Sequence, residues 1–243
     1  VSGRGGSIER EIIINGQRPF AEAGYLVFHR VFGDAGPIIR DSLGNEIRPA
    51  QVEYPMWLEV PLTDSRGYTQ EPLLFYFAEG INTVRLVAVQ EPMFLRSLTM
   101  GQLHRPLSYG EFLTGKGTET TVQNVLVKVQ GEDALYRSHP TLFPIADAGD
   151  PTVEPYHPAQ IRLNTIGGWR FNQPGQWISW EFEVPETGLY KIAFKAKQNI
   201  RRGISSNRRI LIDGRVPFAE LDTMEFPYSN RYQMHVLGGE DEP

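Results

Sequence analysis

The residues best placed by type and spacing to do chemistry are aromatic. Trp169 sits in the glycine-rich run Gly167-Gly-Trp-Arg-Phe-Asn-Gln-Pro174, with Arg170 and Asn172 beside it. Such a loop can turn a flat indole face toward solvent, next to a guanidinium and an amide that donate hydrogen bonds. The competing reading is a plug that folds under its own loop, because large aromatics are mostly buried. Trp177 falls on the polar face of an alternating run, opposite Ile178 and Trp180. For Trp177 an exposed platform and structural packing both stand, whereas Trp180 reads as core. Tyr54 and Trp57, within Glu53-Tyr-Pro-Met-Trp-Leu58, have the spacing of an aromatic clamp or of a buried loop anchor.

Catalytic patterns find no footing. His29, His104, His139, His157 and His235 are scattered without close metal-ligand spacing, and no Gly-x-Ser-x-Gly elbow occurs. Gly3-Arg-Gly-Gly6 lacks the Lys-Ser/Thr of a phosphate loop, and none of the 29 acidic residues is singled out as half of a carboxylate pair. The expectation is a protein that is not an enzyme. A formal charge of −5 argues against a nucleic-acid partner. The basic cluster Arg201, Arg202, Arg208 and Arg209 reads as a solvated strand or loop face. No run approaches the roughly 18 apolar residues of a membrane span, so direct membrane insertion is not expected. With no cysteine, disulfides and thiolate metal sites are excluded within the chain. Asp147, Asp150 and Asp213 read as turn formers.

The elements that must position these residues are strands. Trp177 to Val184 alternates with a period of two, Pro185-Glu-Thr-Gly188 supplies a turn, and Leu189 to Lys197 resumes the alternation, which predicts an antiparallel hairpin. Leu73–Phe77 and Thr83–Val89 predict a second hairpin, and Phe94–Met100 a further strand. Arg208–Ile212 ends in Asp213-Gly214, and Glu11–Ile14 ends in Asn15-Gly16, both pairs suited to tight turns with positive φ. Ser108 and Glu111 have the spacing of a capping box for a short helix.

Those two turns belong to a longer repeat. Residues 4–23 and 202–221 align without a gap at an offset of 198, with eleven of twenty positions identical. That offset far exceeds the roughly 20–50 residues of a solenoid unit, so it is read as the period of a duplicated domain. The chain is expected to begin inside one copy and end inside the next. Residues 1–103 then carry the closing strands of one β-sandwich, 104–123 a linker rich in Gly, Pro and Thr, and 124–243 the opening strands of a second. Because half a sandwich exposes apolar edges, the two parts are expected to pack as one circularly permuted sandwich or to exchange in a swapped homodimer.

Gly175-Gln-Trp-Ile-Ser-Trp-Glu-Phe-Glu-Val-Pro-Glu-Thr-Gly-Leu-Tyr190, with Gln130-Gly-Glu-Asp-Ala134 before it and Phe75-Tyr-Phe-Ala-Glu-Gly-Ile-Asn-Thr-Val-Arg-Leu86 near the other end, resembles the galactose-binding-like jelly rolls. Family six and family thirty-five carbohydrate-binding modules are the nearest in pattern. Ile161–Gly168 and Ser205–Phe218 are similar to tandem β-sandwich regions in large extracellular solute-binding proteins of Gram-positive sugar ABC transporters. The resemblance implies an all-β jelly-roll sandwich, a cell-surface location, and an oligosaccharide or polysaccharide partner. It assigns stacking on pyranose rings to Trp169, Trp177, Tyr54 and Trp57, and hydroxyl bonding to Arg170 and Asn172. It also implies a structural calcium near the first strand. Gln130 and Glu132 fall at the corresponding positions, and a further expected acid falls near Arg96-Ser97, departures that remove charge a hard cation needs. The function expected is non-catalytic carbohydrate binding. The alternatives are a structural spacer or protein-interaction sandwich without a sugar site, and an accessory domain of a glycoside hydrolase.

Overall fold

A computed structural model describes residues 7–69, 71–102, 105–117, 120–229 and 233–237. Arg4 to Gly6 of the repeat, the Gly3–Gly6 segment and His104 lie outside the described residues. The chain divides into two compact units that do not follow its linear order. One joins Val1–Gly101 with Val129–Glu181, the other Gln102–Lys128 with Phe182–Pro243. Residues 129–181, expected to open a second sandwich, therefore fold with residues 1–101, and the expected linker folds with the C-terminal segment.

In the first unit, β1 (Ile8–Ile14) lies between β2 (Leu26–Phe28) and β7 (Val84–Gln90), antiparallel to both. Its run of β-branched residues suits a strand half buried on one face. Ile12 and Ile14 turn inward with Leu26, and Phe28, Leu62, Leu73, Phe75, Phe77 and Leu86 pack against them. Asn15 and Gly16, at φ of 49° and 85°, make the turn read from the sequence. Leu73–Phe77 is extended and buries alternate residues, but its expected hairpin with Thr83–Val89 does not form. β7 pairs with β1 instead, the pairing that buries Leu86 against Ile12 and Ile14.

A second sheet in this unit has the order β11 (Ile178–Ser179), β8 (Tyr136–Arg137), β3 (Phe32–Asp34), β6 (Gln51–Glu53). The contact of β8 with β3 joins segments more than 100 residues apart, and a buried ion pair locks it. Arg137, with no side-chain exposure, donates to both Asp34 oxygens at 3.1 and 3.0 Å, to Gln51 Oε1 at 3.1 Å and to the Ala134 carbonyl at 2.8 Å. Two small pairs complete the unit, β4 (Ile39–Arg40) with β5 (Glu46–Ile47) and β9 (Pro144–Ile145) with β10 (Thr165–Ile166).

The second unit holds the capped helix α1 (Tyr109–Gly115), in which Ser108 and Glu111 form both arms of the capping box. β12 (Ile192–Ala196) pairs with β15 (Gln233–Leu237), and β13 (Ser206–Arg208) with β14 (Met224–Phe226). The expected hairpin of Trp177–Val184 with Leu189–Lys197 is absent. β11 is paired with β8, while Leu189 exchanges backbone bonds with Thr120 and Val122 at 3.0 and 3.1 Å. The expected alternation appears over Ile192–Ala196, whereas Phe182 and Val184, expected on the buried face, are exposed, and more distant segments satisfied the backbone groups. Phe94–Met100 forms no regular strand. The architecture is β-rich, in several small antiparallel sheets, and no helix among the described residues is long and apolar enough to cross a membrane.

Candidate functional site

The glycine-rich loop closes into one turn of 3₁₀-helix over Gly168–Arg170, entered through Gly167 at φ 98°. The loop is fastened on the C-terminal side of Trp169. The Arg170 guanidinium lies 4.7 Å over the Phe143 ring, which also carries Arg48 at 3.6 Å. Stacked cations on an aromatic face hold a side chain in place without removing its charge. Downstream, Gln176 Oε1 accepts the backbone N–H groups of Asn172 and Gln173, each at 3.0 Å, and Gln173 Nε2 donates to Asn172 Oδ1 at 3.2 Å. Trp169, immediately before these anchors, is 69% exposed.

The other expected aromatics divide. Trp177 is half-buried and its backbone N–H donates to Ser138 Oγ at 2.9 Å. Trp180, expected in the core, is half-buried, with its indole N–H on the Gly131 carbonyl at 3.1 Å. Tyr54 packs edge-on against Tyr136 with centroids 5.4 Å apart and donates to the Asp34 carbonyl at 3.2 Å, a packing role. Trp57 is 62% exposed. The structure thus gathers Trp169, Arg170 and Asn172 on one loop and leaves Tyr54 and Trp57 on another segment.

The same loop continues into a cavity of about 370 Å³, to which it lends Gln173, Pro174 and Gln176. The remaining wall includes Tyr25, His29, Arg30, Ser65 and His139. A cavity of this size is in the range of small-ligand sites. The Arg30 guanidinium is held by Glu53 and Glu91 at 3.0 and 2.9 Å, while its buried Nε finds no hydrogen-bond partner among the described residues. Burial, with a smaller contribution from the neighbouring charge of His139, holds the His29 imidazole below its ordinary pKa. It is therefore neutral near pH 7, with one nitrogen free to donate and the other to accept. Gly175, at φ 78°, leaves room for it: a β-carbon there would come within 2.8 Å of His29 Nε2. His29 and His139 lie 110 residues apart and carry no spacing signal, so sequence reasoning treated them as scattered.

The expected metal ligands sit in one 3₁₀ turn, with Gln130 at its N-cap and Glu132 buried within it. Glu132 lines a second cavity of about 450 Å³ with Asp133, Glu46 and Arg40. Glu46 is already engaged, bonded to Arg40 at 3.0 Å and to the Leu163 N–H at 2.8 Å. Among the described residues no group of three or more His, Cys, Asp or Glu side chains is arranged to hold a metal. Gln130 does not line the cavity.

No family model, curated protein or solved structure matches the chain.

Proposed function

We propose that this chain is a non-catalytic carbohydrate-binding β-sandwich region, of the galactose-binding-like jelly-roll kind, within an extracellular, cell-surface solute-binding protein of a sugar transporter. The observation that carries the reading is the exposed indole of Trp169, next to an Arg170 packed on Phe143 and a loop tied by Gln176. The apolar face of a pyranose stacks on such a surface, and its hydroxyls need amide and imidazole partners of the kind that Gln173, Gln176 and His29 offer in the adjoining cavity. A pre-fastened loop also lowers the ordering cost of binding. Each site would be shallow and weak, and repeated copies would raise affinity through avidity. Calcium enters this reading as a structural ion near Gln130 and Glu132 and is varied in the test.

The test is a titration of intrinsic fluorescence with a panel of plant and bacterial oligosaccharides, with and without calcium. A saturable response to one glycan class, lost in Trp169→Ala and kept in Trp57→Ala, is the expected result. A flat response from the folded protein across the panel removes the reading. It would leave the alternative of a structural spacer or protein-interaction sandwich without a sugar site.

A further inference from the structure

Several arginines of the first unit are matched to carboxylates. Arg18 meets Glu11, Arg30 meets Glu53 and Glu91, Arg40 meets Glu46, and Arg137 meets Asp34. Arg48 and Arg170 differ. Both rest on the one Phe143 ring, 3.6 and 4.7 Å from its centroid, and neither has a carboxylate partner among the described residues. Both are exposed, as is Trp169 beside Arg170.

Local structure brings the two cations together. β9 and β10 pair Pro144 with Ile166, so the next residues outward, Phe143 and Gly167, stand side by side. Gly167 and Gly168, at φ of 98° and 63°, then turn the chain sharply into Trp169 and Arg170. Arg48 comes from the end of β5. Glu46 N–H donates to the Ile161 carbonyl at 3.0 Å, Leu163 N–H donates to the Glu46 carboxylate at 2.8 Å, and the following Pro49 keeps Arg48 extended. The two guanidinium carbons are at most 8.3 Å apart, because they lie 3.6 and 4.7 Å from one centroid. Stacking occupies the flat face of a guanidinium and leaves the N–H donors along its edge available.

We infer that Arg48 and Arg170 together bind a tetrahedral oxyanion, a sulfate or phosphate ester carried by the saccharide that stacks on Trp169. The inference rests on the carbohydrate reading for the carrier and names its chemical class. Two like charges held this close repel each other, and an anion placed between them is attracted by both. The count of oxygens decides its kind. A guanidinium fork binds a pair of oxygens, and a carboxylate has one such pair, which a single arginine takes. Sulfate and phosphate esters have three terminal oxygens and present a different edge to each fork. Bidentate contact sets charge centres about 4 Å apart, so an oxyanion shared by two guanidiniums spans them at about 8 Å or less. The limit set by Phe143 satisfies that span. With a net charge of −5 the chain as a whole repels polyanions, so attraction is confined to the short range of this pair.

The isotope-labelled full chain is titrated with glucose-6-sulfate, glucose-6-phosphate, glucuronate, glucose and inorganic sulfate, following the arginine Nε–H signals by NMR beside tryptophan fluorescence. At least one ester is expected to shift the Arg48 and Arg170 signals saturably and to change the fluorescence, and the tighter of the two identifies the group. Arg48→Gln and Arg170→Gln should each weaken that ester about tenfold, with urea midpoints confirming that the variants are folded. Inorganic sulfate should shift the same two signals at about tenfold higher concentration, because it brings no ring to Trp169. No shift of either arginine by any anion, glucuronate binding as tightly as the esters, or unchanged affinity in both variants overturns the inference. Glucose that saturates the fluorescence while the esters bind no tighter overturns it too, and leaves the carbohydrate reading standing. Inorganic sulfate binding as tightly as both esters, with no effect of Trp169→Ala, removes the carbohydrate reading and the ester with it.

Discussion

Replacing Arg137 by methionine should destabilise the first unit selectively, because that side chain ties residues 129–181 to residues 1–101. It is fully buried and makes four hydrogen bonds, two of them to the Asp34 carboxylate. Removing one partner of a buried ion pair costs about 3–5 kcal/mol. Asp34 is 21% exposed on its side chain and keeps a hydrogen bond from Gln51, so the lower end of that range applies, about 3 kcal/mol. With a urea dependence of about 2 kcal/mol per molar, typical for a unit of this size, the midpoint should fall by about 1.5 M. Fluorescence reads this unit alone, since Trp57, Trp169, Trp177 and Trp180 all belong to it. The double variant Asp34→Leu with Arg137→Met removes the stranded charge and should recover at least half of the loss. A shift in Arg137→Met below about 0.3 M, or a double variant that loses the sum of the two single effects, refutes the reasoning.

Three further outcomes follow from local chemistry. Asp64 is buried, a setting that by itself raises a carboxyl pKa, yet the N–H groups of Arg66, Thr69 and Tyr68 outweigh this and hold it below the usual range. Its contribution is present above pH 3.8 and is lost as pH falls through the lower folded value; Asp64→Ala should cost about 2 kcal/mol at pH 7 and flatten the acid limb of a stability profile. His29 has the opposite chemistry with the same slope. The unfolded imidazole takes up a proton below pH 6.5 that the folded one resists, so stability falls as pH drops below that value, and His29→Gln should abolish this limb in urea titrations at pH 7 and 5.5. Gly175→Ala, strained at φ 78° and pressed against His29, should lower the fluorescence-detected midpoint by about 1 kcal/mol equivalent and displace the imidazole shift seen by NMR.

What could be read from the sequence was local. The Asn15-Gly16 and Asp213-Gly214 turns and the Ser108 to Glu111 capping box depend on residues at most three apart, whose steric and hydrogen-bonding preferences act without the rest of the fold. The repeat was legible as identity, and its shared strand register, Ile8↔Phe28 in one copy and Ser206↔Phe226 in the other, follows from it. Strand partners were not legible. Alternation from Trp177 to Val184 named neither the pairing backbone, since β8 and the Thr120–Val122 segment took the places assigned to a hairpin, nor the whole buried face, since Phe182 and Val184 are exposed. Arg137 and Asp34 each look like surface residues until the fold brings them together across 103 positions. The cavity of His29 and His139 escaped for the same reason. For Trp169 the sequence left a buried plug and an exposed face both open; its exposure, and the packing of Arg170 on Phe143 and the bonds of Gln176 that tie the loop, required the structure.

The most direct test of the central claim is the fluorescence titration of wild type and Trp169→Ala with an oligosaccharide panel, read beside Arg137→Met unfolding as a check that the first unit is intact. Carbohydrate binding through the fastened loop predicts saturation by one glycan class in the wild type and its loss in Trp169→Ala with an unchanged urea midpoint. Saturation that survives in Trp169→Ala, or no response from a folded wild type, contradicts it.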